Sequence, residues 1–153
     1  MSEQIFIKES NFEKTRKLIK ENQDKEIIFS SNDDELNRKI LEKQNINILL
    51  INLLGKKDFQ KQRNSGFNQV LAKIAKEKNV EIGINFDEII ESDSKEKPKI
   101  LARIQQNIKL CNKNKLKMKF IIQKKENRRD IYDLKSLGAV LGMPTWMMRE
   151  LEK

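Results

Sequence analysis

The chain has 153 residues, with 32 Lys and Arg against 23 Asp and Glu, which gives a formal charge of +9. It contains no histidine and a single cysteine, Cys111, which excludes His-dependent hydrolysis, His-ligated metal sites, disulfide frameworks and thiolate clusters. The basic excess favours an anionic partner such as nucleic acid, an acidic protein or a membrane surface. All of the excess lies after residue 60, because residues 1–60 hold 11 basic and 11 acidic residues.

The length predicts one domain over residues 1–153, large enough to bury a hydrophobic core without a disulfide or a structural metal. No apolar run approaches the roughly 18 residues that a membrane-spanning helix needs. The first residues lack the basic and apolar segments of a signal peptide. We therefore expect a cytoplasmic protein with no membrane partner.

In the first half of the chain, short apolar runs alternate with amphipathic segments. A weak strand over residues 5–7 precedes a helix that we expect Ser10 to cap, and a second strand covers residues 26–30. Asn32 is expected to begin the next helix. We expect a strand over residues 47–54, because this stretch is apolar except for Asn47 and Asn52, a pattern typical of a strand buried on both faces of a parallel sheet.

The second half continues the same alternation. We expect Ser65 to begin a helix, a strand to follow over residues 80–85, and Pro98 to lie in the first turn of the next helix. The last predicted strand covers residues 117–123. A helix from Ile131 is expected to end near Leu141.

After that helix, Gly142 suits a left-handed cap and Pro144 prevents the helix from continuing. A short final helix carries an apolar cluster of three residues, for which we consider two roles, closure of the core and contact with another protein. The cluster is Trp146, Met147 and Met148.

Strands that alternate with helices predict an α/β fold of repeated β/α units with parallel strands. About five strands are too few for a closed eight-stranded barrel. We therefore expect an open sheet or an incomplete, TIM-barrel-like barrel, in which binding groups collect in the loops after the carboxyl ends of the strands.

Two of these loops are densely basic, and the parallel topology predicts that they lie on one rim. We call residues 55–66 the first basic loop and residues 123–130 the second basic loop. Their cations are suited to phosphate, although solvated surface loops remain the alternative. Arg103, on a helix, is expected either to anchor RNA or to pair with a neighbouring acid. The loop candidates for RNA binding are Lys57, Lys61, Arg63, Lys124, Lys125, Arg128 and Arg129.

Other charged and polar groups carry weaker signals. Lys109 and Lys113 belong to the opposite rim, where they suit a helix C-terminus. No metal-ligand spacing stands out, so we predict no metal site and no catalytic residue in the chain. Four acids are expected either to cap helices or to serve a magnesium site, namely Asp87, Glu88, Asp130 and Asp133. Cys111 lies on an apolar stripe and is expected in the core.

Three stretches carry a family resemblance. Residues 57–86 include Lys57-Asp58-Phe59, Arg63-Asn64-Ser65-Gly66-Phe67 and Asn79-Val80-Glu81-Ile82-Gly83-Ile84-Asn85-Phe86, and they resemble the archaeal ribonuclease P protein component 3 family. The stretches around Arg103–Cys111 and Asp133–Met143 resemble the long helix and the closing segment of that family. The resemblance extends over residues 47–143, so we expect reduced N-terminal units.

The resemblance implies a barrel related to metal-dependent phosphoesterases but without their metal site. It also implies a non-catalytic subunit of ribonuclease P, the ribonucleoprotein that removes the 5′ leader from precursor tRNA through its catalytic RNA. The implied partners are ribonuclease P RNA, precursor tRNA and protein component 2, with Mg²⁺ serving the ribonucleoprotein and no small-molecule substrate. RNA contacts would fall on Arg63, Arg128 and Arg129, whereas Gln69 stands where many members carry histidine.

Two other functions remain open at this stage. The chain is alternatively an autonomous magnesium-dependent nuclease that uses the four acids named above, or a structural module that binds an acidic protein. Cleavage of precursor tRNA by the chain alone would indicate the nuclease. RNA binding that weakens with salt would argue against the acidic-protein module.

Overall fold

The computed structural model of the chain describes residues 3–58 and 60–152. Five parallel strands form one sheet, and the strands lie in the same order as in the chain. The strands are β1 (Gln4–Lys8), β2 (Glu26–Ser30), β3 (Ile48–Ile51), β4 (Glu81–Asn85) and β5 (Met118–Ile121). Within the described residues β1 and β5 do not pair, so the predicted fold of parallel β/α units without a closed barrel is confirmed.

Helices connect and follow the strands. They are α1 (Phe12–Glu21), α2 (Asp34–Lys43), α3 (Gln69–Glu77), α4 (Phe86–Glu91), α5 (Lys97–Lys113), α6 (Ile131–Leu141) and α7 (Thr145–Glu150). A single 3₁₀ turn, Lys125–Asn127, lies in the second basic loop. Sequence reasoning missed α4, because its six residues directly continue strand β4 with no intervening turn signal.

The helices cover one face of the sheet, as right-handed crossovers between neighbouring parallel strands require. Side chains of that face, such as Phe29 and Leu49, belong to the same buried core as Ile40 of α2 and Ile104 of α5. Because alternate residues of a strand point to opposite faces, Ile28 and Ile48, which precede Phe29 and Leu49, lie on the other face. The helical layer therefore buries most of the apolar surface on one side of the sheet.

The opposite face, which we call the inner face, holds a smaller apolar cluster. Ile28, Ile48, Leu50 and Ile121 pack together there. Gly83 lies among them, and a Cβ at this position would be 3.0 Å from Ile121 Cγ1 and 3.1 Å from Ile48 Cγ2. The absence of a side chain at Gly83 therefore leaves room for the isoleucines of this cluster.

Three helices begin at caps other than the predicted ones. Asn11 rather than Ser10 caps α1, and Asp33 rather than Asn32 caps α2. Asn68 caps α3, because Ser65 is buried and donates its hydroxyl to the Phe67 carbonyl. In each case a second cap-forming residue lies one to three positions further along the chain, and side-chain preference alone does not decide between them.

The C-terminal predictions are confirmed more closely. Pro98 lies in the first turn of α5, and Gly142 ends α6 with a φ of 104°, in the left-handed region. Met147 is fully buried and Met148 packs against the core, while the indole of Trp146 donates to Asn112 Oδ1 at 2.9 Å. Core closure is therefore the correct role for Met147, which has no accessible surface, and its protein-contact role is wrong. Contact with another protein stays a prediction for the partly exposed Trp146 and Met148.

Candidate functional site

Both basic loops lie at the carboxyl ends of the strands, on one rim of the incomplete barrel. The first follows β3 and the second follows β5, and all five strands run in the same direction. The predicted convergence on one rim is therefore confirmed. The seven loop candidates are all exposed, namely Lys57, Lys61, Arg63, Lys124, Lys125, Arg128 and Arg129.

Arg103 does not belong to this exposed set, so its prediction as an RNA contact is wrong. Its side chain is 2% exposed beneath the first basic loop. The Nη2 atom of Arg103 donates to the Lys56 carbonyl at 2.8 Å and to Asp58 Oδ1 at 3.1 Å. Pairing with a neighbouring acid is thus the correct alternative, and Arg103 supports the loop from inside.

Further bonds fix the shape of the first basic loop. Asp58 accepts from the Asn64 backbone amide at 2.9 Å, and this bond is the main reason why its pKa is below the ordinary value, with the Arg103 guanidinium second. Asn107 of α5 donates to the Ser65 carbonyl at 3.0 Å. The loop is therefore held on α5 rather than extending freely into solvent.

The first basic loop forms one wall of a groove of about 880 Å³ that runs between α2 and α5. Arg38, Lys61 and Arg63 contribute cations to the groove, and Asp34 and Glu35 contribute carboxylates. Arg38 is paired with Glu42 at 2.9 Å. The groove continues the basic rim toward the side of the molecule, but its mixed charge makes it less suited to phosphate than the exposed loop itself.

The second basic loop is held by one buried carboxylate, that of Asp87. Oδ2 of Asp87 accepts from the Gln123 backbone amide at 2.9 Å, and Oδ1 accepts from the buried Asn127 amide at 2.8 Å. Arg129 lies over the Phe86 ring, 5.9 Å from its centroid. Arg128 has no ion pair among the described residues, which leaves its guanidinium available to a ligand.

Glu88, the residue after Asp87, holds the two residues that immediately precede the first basic loop. Its two carboxylate oxygens accept from the backbone amides of Leu53 at 2.8 Å and Leu54 at 3.0 Å. Burial raises the pKa of Glu88, and these two amides oppose the rise. Adjacent carboxylates of α4 therefore tie down the chain on both sides of β4.

Three of the four acids proposed for a magnesium site are engaged elsewhere, namely Asp87, Glu88 and Asp130. Asp130 caps α6 by accepting from the Asp133 backbone amide at 3.0 Å. Among residues 3–58 and 60–152, no group of three or more carboxylate or cysteine side chains is placed to hold a metal ion. Asp87 accepts from the Gln123 backbone amide and the Asn127 side-chain amide, whereas Glu88 accepts from two backbone amides. Both carboxylates therefore serve to hold the chain at the rim.

A second cavity, of about 320 Å³, lies between the two basic loops, and we call it the end cavity. Every strand of the sheet contributes a polar residue from at or just beyond its carboxyl end. These residues are Lys8, Asn32, Asn52, Asn85 and Gln123. Sequence reasoning did not single them out as a group. A signal was present, because each lies at or within two residues of the end of a strand.

Two remaining predictions concern single side chains. Cys111 is fully buried in the core, as expected, and burial raises the pKa of its thiol far above the ordinary range. The amide of Gln69 exchanges two hydrogen bonds with that of Asn114, at 2.9 and 3.1 Å. Gln69 therefore joins the start of α3 to the end of α5. In the described part of the chain no helix is long and apolar enough to cross a membrane.

No protein-family model matches the chain. Ribonuclease P protein component 3 of Methanococcus maripaludis is 28% identical over 116 residues, which are 76% of this chain and 46% of that protein. The protein of the same name from Methanocaldococcus jannaschii is 30% identical over 121 residues, 77% of this chain and 49% of that one. The chain thus spans about half the length of the curated relatives it matches.

Similarity of fold extends further than similarity of sequence. A chain in the cryo-EM structure of an archaeal ribonuclease P with mature tRNA superposes with a TM-score of 0.81 at 23% identity. The superposition covers 97% of this chain and 64% of that chain. These similarities confirm the predicted resemblance to ribonuclease P protein component 3 and the predicted β/α fold.

Proposed function

We propose that this chain is an RNA-binding protein subunit of a ribonuclease P, which generates mature tRNA by removing the 5′ leader of precursor tRNA. The observation that carries the proposal is the similarity to ribonuclease P protein component 3 over 76–77% of the chain. In this role the catalyst is RNA, and the chain positions and neutralises RNA beside protein component 2. Mg²⁺ serves the assembled ribonucleoprotein and is not held by this chain.

The exposed basic loops support the proposal. Seven cations lie on one rim, and the carboxylates of Asp87 and Glu88 hold the backbone of the two loops in place. Lys and Arg side chains on fixed loops neutralise phosphates without rearrangement, and arginine makes two parallel bonds to one phosphate. We therefore assign the phosphate contacts to these loops, with Arg63, Arg128 and Arg129 as the leading residues.

The autonomous-nuclease alternative is less well supported. A carboxylate that binds magnesium or activates water needs free oxygen lone pairs directed at the substrate. Both oxygens of Asp87 and both oxygens of Glu88 accept backbone or amide N–H groups instead. These carboxylates therefore hold the loops, and the chemistry is left to the RNA.

Reconstitution tests the proposed function. Precursor tRNA with Mg²⁺ is incubated with the chain alone, with ribonuclease P RNA, and with ribonuclease P RNA plus component 2. We expect no cleavage by the chain alone and faster leader removal when the chain joins the RNA and component 2. Cleavage by the RNA-free chain, lost in Asp87→Asn or Asp133→Asn, would instead identify a nuclease.

A measurement of RNA binding at low salt addresses the alternative that the chain binds an acidic protein. If the chain binds neither ribonuclease P RNA nor precursor tRNA at low salt, the basic rim serves a different anionic partner and the proposed function is wrong.

A further inference from the structure

The amides of the end cavity have a fixed orientation. The Glu88 backbone amide donates to Asn85 Oδ1 at 3.2 Å. A backbone N–H cannot accept a hydrogen bond, so the oxygen of Asn85 must face it and the Nδ2 atom must face Asn52. Asn85 Nδ2 donates to Asn52 Oδ1 at 2.9 Å, which in turn makes Asn52 Nδ2 the donor to Asn32 Oδ1, at 3.4 Å.

One backbone amide therefore sets the direction of three side chains across the ends of β2, β3 and β4. All three amide oxygens are engaged within this chain of bonds. Each amide nitrogen carries two hydrogens, and the chain uses one at most, so the free hydrogens of Asn32, Asn52 and Asn85 remain. The end cavity consequently offers N–H donors and selects a ligand that presents acceptors.

The charges around the end cavity argue against phosphate as that acceptor. Two lysines, Lys8 and Lys124, line it together with three carboxylates, those of Asp87, Glu88 and Glu91. Lys124 is already paired with Glu91. A phosphate would meet an excess of negative charge there, whereas a neutral carbonyl oxygen would not.

An exposed apolar side chain completes the lining. Leu54 is 54% exposed at the end cavity, and its backbone amide is held by Glu88 at 3.0 Å. A ligand that places a flat apolar face on Leu54 and a carbonyl on the asparagines uses both features. A nucleobase has this combination of a polar edge and an apolar face.

We infer that the end cavity binds an unpaired base of RNA and prefers a carbonyl-bearing base, that is uracil, cytosine or guanine, over adenine. The inference rests on the proposed function, since the basic loops on either side hold the flanking phosphates. A carbonyl oxygen has two lone pairs and accepts from two amides of the cavity, whereas each acceptor nitrogen of adenine has one lone pair and accepts from one amide. The cavity volume of about 320 Å³ lies at the lower end of the range for small-ligand sites.

The first test uses mononucleotides on the whole chain. Uridine 5′-monophosphate and adenosine 5′-monophosphate are titrated while the side-chain NH₂ signals of the asparagines are followed by ¹⁵N NMR. We expect uridine 5′-monophosphate to shift the signals of Asn32, Asn52 and Asn85 clearly more than adenosine 5′-monophosphate does at the same concentration. Equal shifts with both nucleotides, or shifts only elsewhere, would overturn the inference.

The second test uses oligomers and matched variants. Loss of one amide donor in Asn32→Ala should weaken oligo(U) binding about three- to tenfold and should weaken oligo(A) binding less. Leu54→Ala should act in the same direction. Asn45→Ala and Val70→Ala are the controls, because Asn45 and Val70 are exposed but do not line the cavity.

The two proposals fail in different ways. If Asn32→Ala and its control bind oligo(U) equally, while loss of Arg128 and Arg129 still weakens RNA binding, the base-binding inference fails and the proposed function stands. If structured RNA does not bind but uridine 5′-monophosphate still shifts the asparagine signals, the end cavity is a base site and the proposed function fails.

Discussion

Arg103 and Asp58 form a half-buried ion pair in which the two partners have opposite environments. The guanidinium is 2% exposed and the carboxylate 49% exposed, and Nη2 lies 3.1 Å from Oδ1. The same nitrogen donates to the Lys56 carbonyl. The buried cation thus connects the core of α5 to the outer turn of the first basic loop.

Replacement of Arg103 should therefore destabilise the fold and loosen the loop. Arg103→Ala leaves the Lys56 carbonyl without its donor and opens a cavity, so we expect a loss of about 2 kcal/mol in the free energy of unfolding. Asp58→Asn should cost clearly less, because the Lys56 bond remains. Urea denaturation measures the loss of stability, and limited proteolysis after Lys57 or Lys61 measures the loosening of the loop. Equal stability of wild type and Arg103→Ala would contradict the supporting role.

Two glycines of the first basic loop offer a matched comparison. Gly66 has a φ of 71°, and a Cβ there would lie 2.8 Å from Lys56 Cε and 2.9 Å from Ile51 Cγ2. Gly55 has a φ of 76° with open space around it. We expect Gly55→Ala to cost about 1 kcal/mol from backbone strain alone, and Gly66→Ala to cost more, up to about 3 kcal/mol. Thermal melts decide the order, and equal costs would show that the contacts at Gly66 relax freely.

Loss of the cations in the second basic loop should change the salt dependence of RNA binding. Each phosphate contact contributes roughly 0.7 to 0.9 to the slope of log affinity against log salt. We expect Arg128→Ala with Arg129→Ala to weaken binding at every RNA sequence and to flatten that slope by one to two contacts. Fluorescence anisotropy across a salt series measures both quantities.

The control for this experiment is Lys109→Ala with Lys113→Ala, which removes two exposed lysines near the C-terminal end of α5, on the opposite rim. If the control pair flattens the slope as much as the arginine pair, binding is a response to net charge alone and the rim assignment is wrong. Thermal melts of the arginine double variant show whether it still folds, because Arg129 also contacts the Phe86 ring.

The pKa of Asp58 should lie below, and that of Glu88 above, the ordinary carboxyl value near 4. The backbone amide of Asn64, and then Arg103, lower the pKa of Asp58, whereas burial raises the pKa of Glu88. Stabilisation linked to Asp58 is present above its ordinary pKa and is lost as the pH falls through the lowered value. Stabilisation linked to Glu88 is present below its ordinary pKa and is lost as the pH rises through the raised value.

Carboxyl ¹³C NMR titration of the two side chains measures this order directly. We expect Asp58 to titrate first from the acid side and Glu88 last. The Arg103→Met variant should move the pKa of Asp58 upward only in part, because the Asn64 amide remains. A reversed order would mean that burial does not dominate at Glu88.

Cys111 should report global unfolding. Its thiol is fully buried and its pKa is raised by burial, so alkylation requires the core to open. We expect labelling by iodoacetamide to be slow in buffer and to rise across the urea unfolding transition. Mass spectrometry of labelled protein follows the rate. Rapid labelling in buffer would show that α5 opens locally without global unfolding.

Much of the fold could be predicted from the sequence because apolar periodicity reports burial directly. The continuous apolar run that became β3 and the stripe of α5 have no other stable placement than the core. The caps were harder, since Ser10 and Asn11 are both good cap residues and only the backbone path selects Asn11. The extent of strands also differed, with β3 ending at Ile51 because Asn52 already turns toward the end cavity.

The candidate site was predictable at the level of loops but not of single side chains. Charge density identified the basic rim, and strand direction placed its two loops together. Arg103 carried the same charge as its exposed counterparts, and only the tertiary position of α5 shows that it points inward. The hydrogen-bonded row of Asn32, Asn52 and Asn85 could not be predicted for a related reason. Its members lie 20 and 33 residues apart in the chain and meet only when the strands align in the sheet.

The sequential order of the strands also governs how the chain can assemble during synthesis. Each new strand pairs with the one made just before it, so every β/α unit can add to an existing sheet as it leaves the ribosome. Strand β5 is added last, and only its arrival brings Gln123 and Asn127 to Asp87 and sets the second basic loop in place. The rim is therefore incomplete while the first four strands are translated, and it gains the second basic loop only after β5 has been made.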